Sequence, residues 1–90
     1  DLEVSLSSRR VRAGGRELSL TPKEYALLTC LMRNRNMVMS REQLLVKCWG
    51  YDYEGESRAV DTHIRRLREK LGPYGACIKT VIKAGYKLEG

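Results

Sequence analysis

Apolar residues recur along this chain with two different periods. From Ser57 to Leu71, Val60, Ile64, Leu67 and Leu71 fall at i, i+4, i+7 and i+11, the stripe of a helix docked on a core. At ~100° per residue, Arg58, Thr62, Arg65, Arg66 and Glu69 occupy the opposite side. Two more helices are predicted upstream. Thr21-Pro22-Lys23-Glu24 opens the first with an N-cap, a proline at the first helical position and a capping box. Tyr25, Leu28, Leu31 and Met32 supply its buried face, and Asn34-Arg35-Asn36 ends it. Ser40-Arg41-Glu42-Gln43 repeats the signal, Leu44, Leu45, Cys48 and Trp49 follow, and Gly50 terminates.

The ends of the chain carry the period of strands. Residues 2–6, 10–12 and 17–20 read as short strands, with a turn at Ala13-Gly14-Gly15-Arg16. A lone hairpin is marginal in water, so this sheet should lean on the helices. After a break at Gly72-Pro73-Tyr74-Gly75, residues 77–82 and 86–88 form a terminal hairpin with Lys83-Ala84-Gly85 at its basic tip. The sum is an α+β domain: an N-terminal antiparallel sheet, three helices and a C-terminal β-hairpin. That is a winged helix-turn-helix, with a helix for the major groove and a wing for adjacent backbone or minor groove.

Ninety residues allow one domain, assigned here to 1–90. With 17 Lys+Arg against 11 Asp+Glu, the net charge is +6 and the pI about 9.5. This suits a polyanion partner, although charge alone also permits a ribosomal protein or a membrane-surface module. The charge is divided. Residues 58–71 carry a net +3, whereas 49–57 carry −3 and no basic residue. The acidic stretch is either a solvated loop or a protein-contact surface. Arg9, Arg10, Arg12 and Arg16 read mainly as a solvated sheet face, as do Lys79 and Lys87 on the hairpin. Asp61 is expected to pair with a basic neighbour such as Arg65, four residues on.

No run is long and apolar enough for a membrane helix, and no secretory signal is present. Cys30, Cys48 and Cys77 form no CxxC pair, and the single His63 cannot complete a zinc set. They read as reduced packing cysteines of a cytoplasmic protein with no metal and no cofactor. No nucleophile–base pair or Gly-rich phosphate loop points to an enzyme.

Four stretches, in order, resemble the OmpR/PhoB-type effector domains of bacterial two-component response regulators. They are LTPKEYALL (20–28), SREQLL (40–45), WGYDYEGESRAVDTHIRRLREKLG (49–72), and IKTV (78–81) with AGYKLEG (84–90). The resemblance covers nearly the whole chain. It implies a four-stranded N-terminal sheet ahead of the helices and wing. It also implies a transcription factor whose receiver domain, phosphorylated on Asp, promotes dimerisation on tandem direct repeats of double-stranded DNA. The chain starts at Asp1 and is taken as a piece of a longer protein whose own receiver lies elsewhere; alone it should be a monomer.

By the same resemblance, Thr62 and Arg66 match positions aimed at base edges. Arg58, His63, Arg65 and Arg68 match phosphate positions, with Arg65 also within reach of a base. Trp49, Thr80 and Tyr86 match backbone contacts, and residues 49–56, with Tyr51, Asp52, Tyr53, Glu54 and Glu56, match a loop through which relatives touch RNA polymerase. Three positions depart from the pattern. Ile82 stands where a minor-groove arginine is usual, Lys83 where a wing glycine is usual, and Ala59 where a phosphate-binding threonine is common. Lys83 supplies a point charge rather than a fork.

Two other function classes compete with sequence-specific DNA binding: a winged helix that contacts only protein, and an RNA binder. A-form major grooves exclude helices, and the aromatic stacking platforms of single-strand binders are missing.

Overall fold

A computed structural model describes residues 2–89; Asp1 and Gly90, the ends of the predicted domain, lie outside the described residues. Three short strands, β1 (Leu2–Ser5), β2 (Arg10–Ala13) and β3 (Arg16–Leu18), form an antiparallel sheet in the order β1-β2-β3. The fourth strand that the resemblance implied is not in this sheet among the described residues, and β3 ends at Leu18 rather than at the predicted Leu20. Gly14 and Gly15 both have positive φ (59° and 82°), so the chain reverses in two residues and Ala13 pairs directly with Arg16.

Helix α1 (Pro22–Arg33) begins as predicted: Glu24 N donates to Thr21 Oγ1 at 3.2 Å and Thr21 N to Glu24 Oε1 at 2.9 Å. Helix α2 (Arg41–Trp49) has the equivalent box between Ser40 and Gln43. Helix α3 (Arg58–Leu71) follows Ser57, whose side chain makes no capping bond. The predicted break at 72–75 is a 3-10 helix, Gly72–Cys77. Strands β4 (Ile78–Val81) and β5 (Gly85–Leu88) form the wing.

The core sits where the three helices meet. Leu27, Leu28, Leu31, Leu44, Val60, Ile64 and Leu67 have no exposed surface. The α3 stripe is buried in full, Leu71 included. On α1 the register differs slightly from expectation: Leu27 is in the core, whereas Tyr25 and Met32 pack on its edge. Val11 and Ala13 of β2 turn inward and Arg10 and Arg12 outward, so the sheet leans on the helices as its marginal size requires.

The wing is tied to the helical trio through its backbone. Met39 N donates to Tyr86 O (2.8 Å) and Tyr86 N to Met39 O (2.9 Å), so β5 lies between β4 and the segment before α2. Asn36 N adds a bond to Leu88 O at 2.8 Å. This pairing fixes the wing's direction relative to α3.

Candidate nucleic-acid interface

The buried stripe of α3 leaves one face to solvent. Arg58, Arg65, Arg66 and Glu69 are exposed there, with Thr62 half-buried between them. Thr62 Oγ1 reaches the Arg58 carbonyl only at 3.4 Å, a weak bond that leaves the hydroxyl and methyl available. The three arginines have long, solvated side chains on a helix whose opposite side is packed into the core. They present forked donors from a fixed base, the arrangement that suits guanine edges and phosphates.

His63 and Trp49 form one corner of this face. The rings meet edge-on with centroids 5.1 Å apart, and His63 Nδ1 donates to the Ala59 carbonyl at 2.8 Å. With Nδ1 holding that proton, neutral His63 has only an acceptor at Nε2. It can donate to a phosphate through Nε2 only when protonated. Trp49 is half-buried. Its ring carries Lys23 Nζ at 5.2 Å on one side and packs against Tyr53 at 6.0 Å. Lys23 also donates to the Cys48 carbonyl at 2.8 Å, placing a cation at the C-terminal end of α2.

Two residues expected at phosphates are engaged inside the fold instead. Tyr86 is only 5% exposed, and its hydroxyl donates to Asp61 Oδ1. A tyrosine can bury its ring and still satisfy its hydroxyl, so a polar tip did not mean a wet one. Arg68 is half-buried. Its Nε and Nη2 donate to the Ile78 carbonyl (3.1 and 2.8 Å), Nη2 also to Thr80 Oγ1 (2.7 Å), and its guanidinium lies over the Tyr86 ring at 5.5 Å. Arg68 therefore fastens the wing to α3. Thr80 stays exposed with its own hydroxyl proton to give.

Asp61 is corrected as well. It pairs with Arg41 Nε at 2.8 Å and accepts from Tyr86, rather than meeting Arg65. One carboxylate thus joins the start of α2, the first turn of α3 and the wing. Burial pulls its pKa upward, but the hydrogen bonds from Tyr86 and Arg41 outweigh this and hold it below the usual aspartate value. Burial and the same carboxylate push the Tyr86 phenol up. Spacing along the sequence carried no sign of this group, because its members lie 20 and 25 residues from Asp61.

At the wing tip, Ala84 N donates to Val81 O at 2.9 Å across Ile82 and Lys83. Lys83 takes φ +65°, so lysine adopts the left-handed conformation that a glycine would hold without strain. Ile82 is 83% exposed, and Lys83 is exposed beside it. Ahead of α3, residues 51–56 are all exposed, Tyr51 at 92%. Asp52, Glu54 and Glu56 have no basic side chain within ion-pair distance among the described residues. The acidic loop adjoins the basic face at the start of α3, where Glu56 and Arg58 line one cleft with Arg41 and Asp61. The sheet arginines are exposed; Arg10 approaches Glu17 at 3.9 Å and Arg9 lies 5.7 Å over the Tyr25 ring. Lys79 is exposed, whereas Lys87 pairs with Glu89 at 2.9 Å.

The family described as "Transcriptional regulatory protein, C terminal" matches residues 15–88. The transcriptional regulatory protein SrrA of Staphylococcus aureus is 47% identical over 92 residues, covering 98% of this chain and 38% of SrrA. The chain therefore spans about two fifths of the length of this relative. Among solved structures, the DNA-binding domain of Bacillus subtilis CssR superposes with TM-score 0.88 at 34% identity, covering 98% and 99% of the two chains. The Klebsiella pneumoniae RstA DNA-binding domain in complex with the RstA box gives 0.85 at 34% identity, covering 98% and 90%. Thermotoga maritima DrrB, an OmpR/PhoB homologue, gives 0.91 at 31% identity over the whole of this chain and 42% of its own. With a matched family over most of its length, a shared winged-helix fold and an arginine face on the third helix, the chain belongs to the OmpR/PhoB family of transcriptional regulators as a C-terminal DNA-binding effector domain.

Proposed function

We propose that α3 enters the major groove of double-stranded DNA, with Arg66, Thr62 and Arg65 reading base edges. The observation that carries this is the exposed Arg58–Thr62–Arg65–Arg66 face, set directly opposite a stripe with no exposed surface. Arg66 pairs with guanine O6 and N7, and the Thr62 methyl meets a thymine methyl. Arg58, His63, Trp49, Thr80 and Lys83 hold the phosphates on either side. Arg68 and Tyr86 position the wing rather than touch DNA. The RstA domain, similar in fold, is known bound to its own DNA box, which supports this docking.

Residues 1–90 form one effector module, working in a longer protein with a receiver domain. Phosphorylation there pairs two copies on tandem repeats. The acidic loop, exposed and with no basic side chain paired to Asp52, Glu54 or Glu56 among the described residues, offers Tyr51, Asp52, Tyr53, Glu54 and Glu56 to RNA polymerase.

The experiment is selection from random duplexes followed by Arg66→Ala. Affinity for the selected site should fall by roughly 1–3 kcal/mol, about 5- to 150-fold, with specificity relaxed at a single base position. An equal loss on every sequence would make Arg66 a phosphate contact and end the base-reading assignment. For the loop, replacing Asp52, Glu54 and Glu56 together by Ala in the full-length regulator should lower promoter output at unchanged DNA affinity. A loss of DNA affinity would contradict the division of labour between the loop and α3.

A further inference from the structure

Three cysteines are free, but they are not equivalent. Cys77 Sγ donates to the Tyr74 carbonyl at 2.9 Å and belongs to the 3-10 helix. Cys30, on α1, and Cys48, on α2, instead line the same open cleft, together with Arg33 and Lys47. Each is half-buried. Packing cysteines of a small core are usually enclosed by apolar side chains. These two sit at the core's edge, where solvent enters and where the flanking charges are both positive.

We propose that Cys30 and Cys48 are a redox-active thiol pair, oxidised by peroxide to a disulfide that links α1 to α2. Arg33 and Lys47 line the cleft together with both cysteines, and Arg33 stands one turn from Cys30 on α1. The neighbouring Cys48 and the two cations lower the Cys30 thiol against the opposing pull of burial. Cys30 is accordingly assigned the role of nucleophile and Cys48 that of the resolving thiol.

The Cys30 thiolate attacks one peroxide oxygen. The O–O bond breaks, giving a sulfenic acid on Cys30 and a hydroxide that takes up the proton Cys30 had lost, forming one water. Cys48 then attacks the Cys30 sulfur, the S–O bond breaks, and the departing hydroxide leaves with the Cys48 proton as a second water. Two thiols are oxidised and one peroxide is reduced. The link holds the C-terminal end of α2, next to Trp49, against α1.

Trypsin separates the three cysteines, on peptides 24–33, 48–58 and 71–79. The reduced 90-residue chain is exposed to one equivalent of hydrogen peroxide, alkylated and digested. Expected are a loss of about 2 Da before digestion, peptides 24–33 and 48–58 joined, and Cys77 alkylated. Cys48→Ser should leave a Cys30 sulfenic acid that dimedone traps. Cys30→Ser should leave Cys48 reduced under the same exposure. The proposal is overturned if all three thiols disappear at one rate, if the bridge forms between chains or through Cys77, or if Cys48 oxidises as fast in Cys30→Ser as in the parent.

Discussion

Gly85→Ala should come close to unfolding the domain, at a cost of about 3–5 kcal/mol. Gly85 has φ +141°, a conformation side chains rarely adopt, and a Cβ placed there would lie 2.0 Å from the Met39 carbonyl oxygen and 2.8 Å from Ser40 Cα. Backbone atoms form the obstacle, so no side chain can swing aside. To relieve the clash, β5 must separate from the Met39 segment, breaking the paired bonds between Met39 and Tyr86. Each such bond contributes roughly 1 kcal/mol net, and backbone strain adds about 1–3 kcal/mol. Small domains have only about 5–15 kcal/mol in all, so the melting temperature should drop by roughly 15 °C or more. Gly15→Ala is the matched control. It too has positive φ (82°), but nothing lies within 4 Å of its added Cβ, so it should cost about 1–2 kcal/mol. Thermal unfolding of both variants decides the matter. If Gly85→Ala melts no lower than Gly15→Ala, close packing of the wing does not set its position.

The wing also shows where the sequence stopped being informative. Helices α1 and α2 announced themselves because a capping box is a contact within four residues, and both boxes form at the expected atoms. The α3 stripe was legible because burying it requires only a constant period, and the exposed arginines follow from the same period. What spacing could not reveal were contacts closed by the fold. Asp61 has Arg65 one turn away, yet its partners come from α2 and β5. Tyr86 and Arg68 carry polar groups that suit DNA, but the wing returns across α3 and absorbs both. Cys30 and Cys48 each looked like a lone small residue on its own helix, and only the α1–α2 packing joins them. The base-reading candidates Thr62, Arg65 and Arg66 occupy the face the period assigned, whereas the residues reassigned inward lie at or beyond the end of that face.

Glu24 makes the second large prediction, because it is a carboxylate only 2% exposed in a domain with few buried charges. It accepts from Lys70 Nζ at 2.7 Å across 46 residues of sequence, and from Thr21 N within the capping box. Lys70 also donates to the Ser19 carbonyl at 3.1 Å, so the pair ties the start of α1 to the end of α3. Removing one partner of a buried pair costs about 3–5 kcal/mol, but Lys70 is 38% exposed and can return to water. Adding back the lost cap, Glu24→Ala should cost about 2–4 kcal/mol. Acid should reveal the same interaction. Burial raises the Glu24 pKa, and the hydrogen bonds from Lys70 and Thr21 more than reverse this, leaving it below its ordinary 4.5. The unfolded chain therefore binds the proton first as pH falls. The contribution of Glu24 is complete above about pH 5 and is lost as pH drops past 4.5 and through the lower native value. Asp61, also lowered, adds a second loss from its ordinary 3.8 downward. Urea unfolding followed from pH 7 to pH 3 should thus show stability falling at the acid end. Glu24→Gln keeps the shape and an acceptor oxygen without the titrating charge, so it should be less stable at pH 7 and less sensitive to acid. An acid limb as steep in Glu24→Gln as in the parent would mean that other carboxylates, not this buried pair, hold the domain together against protons.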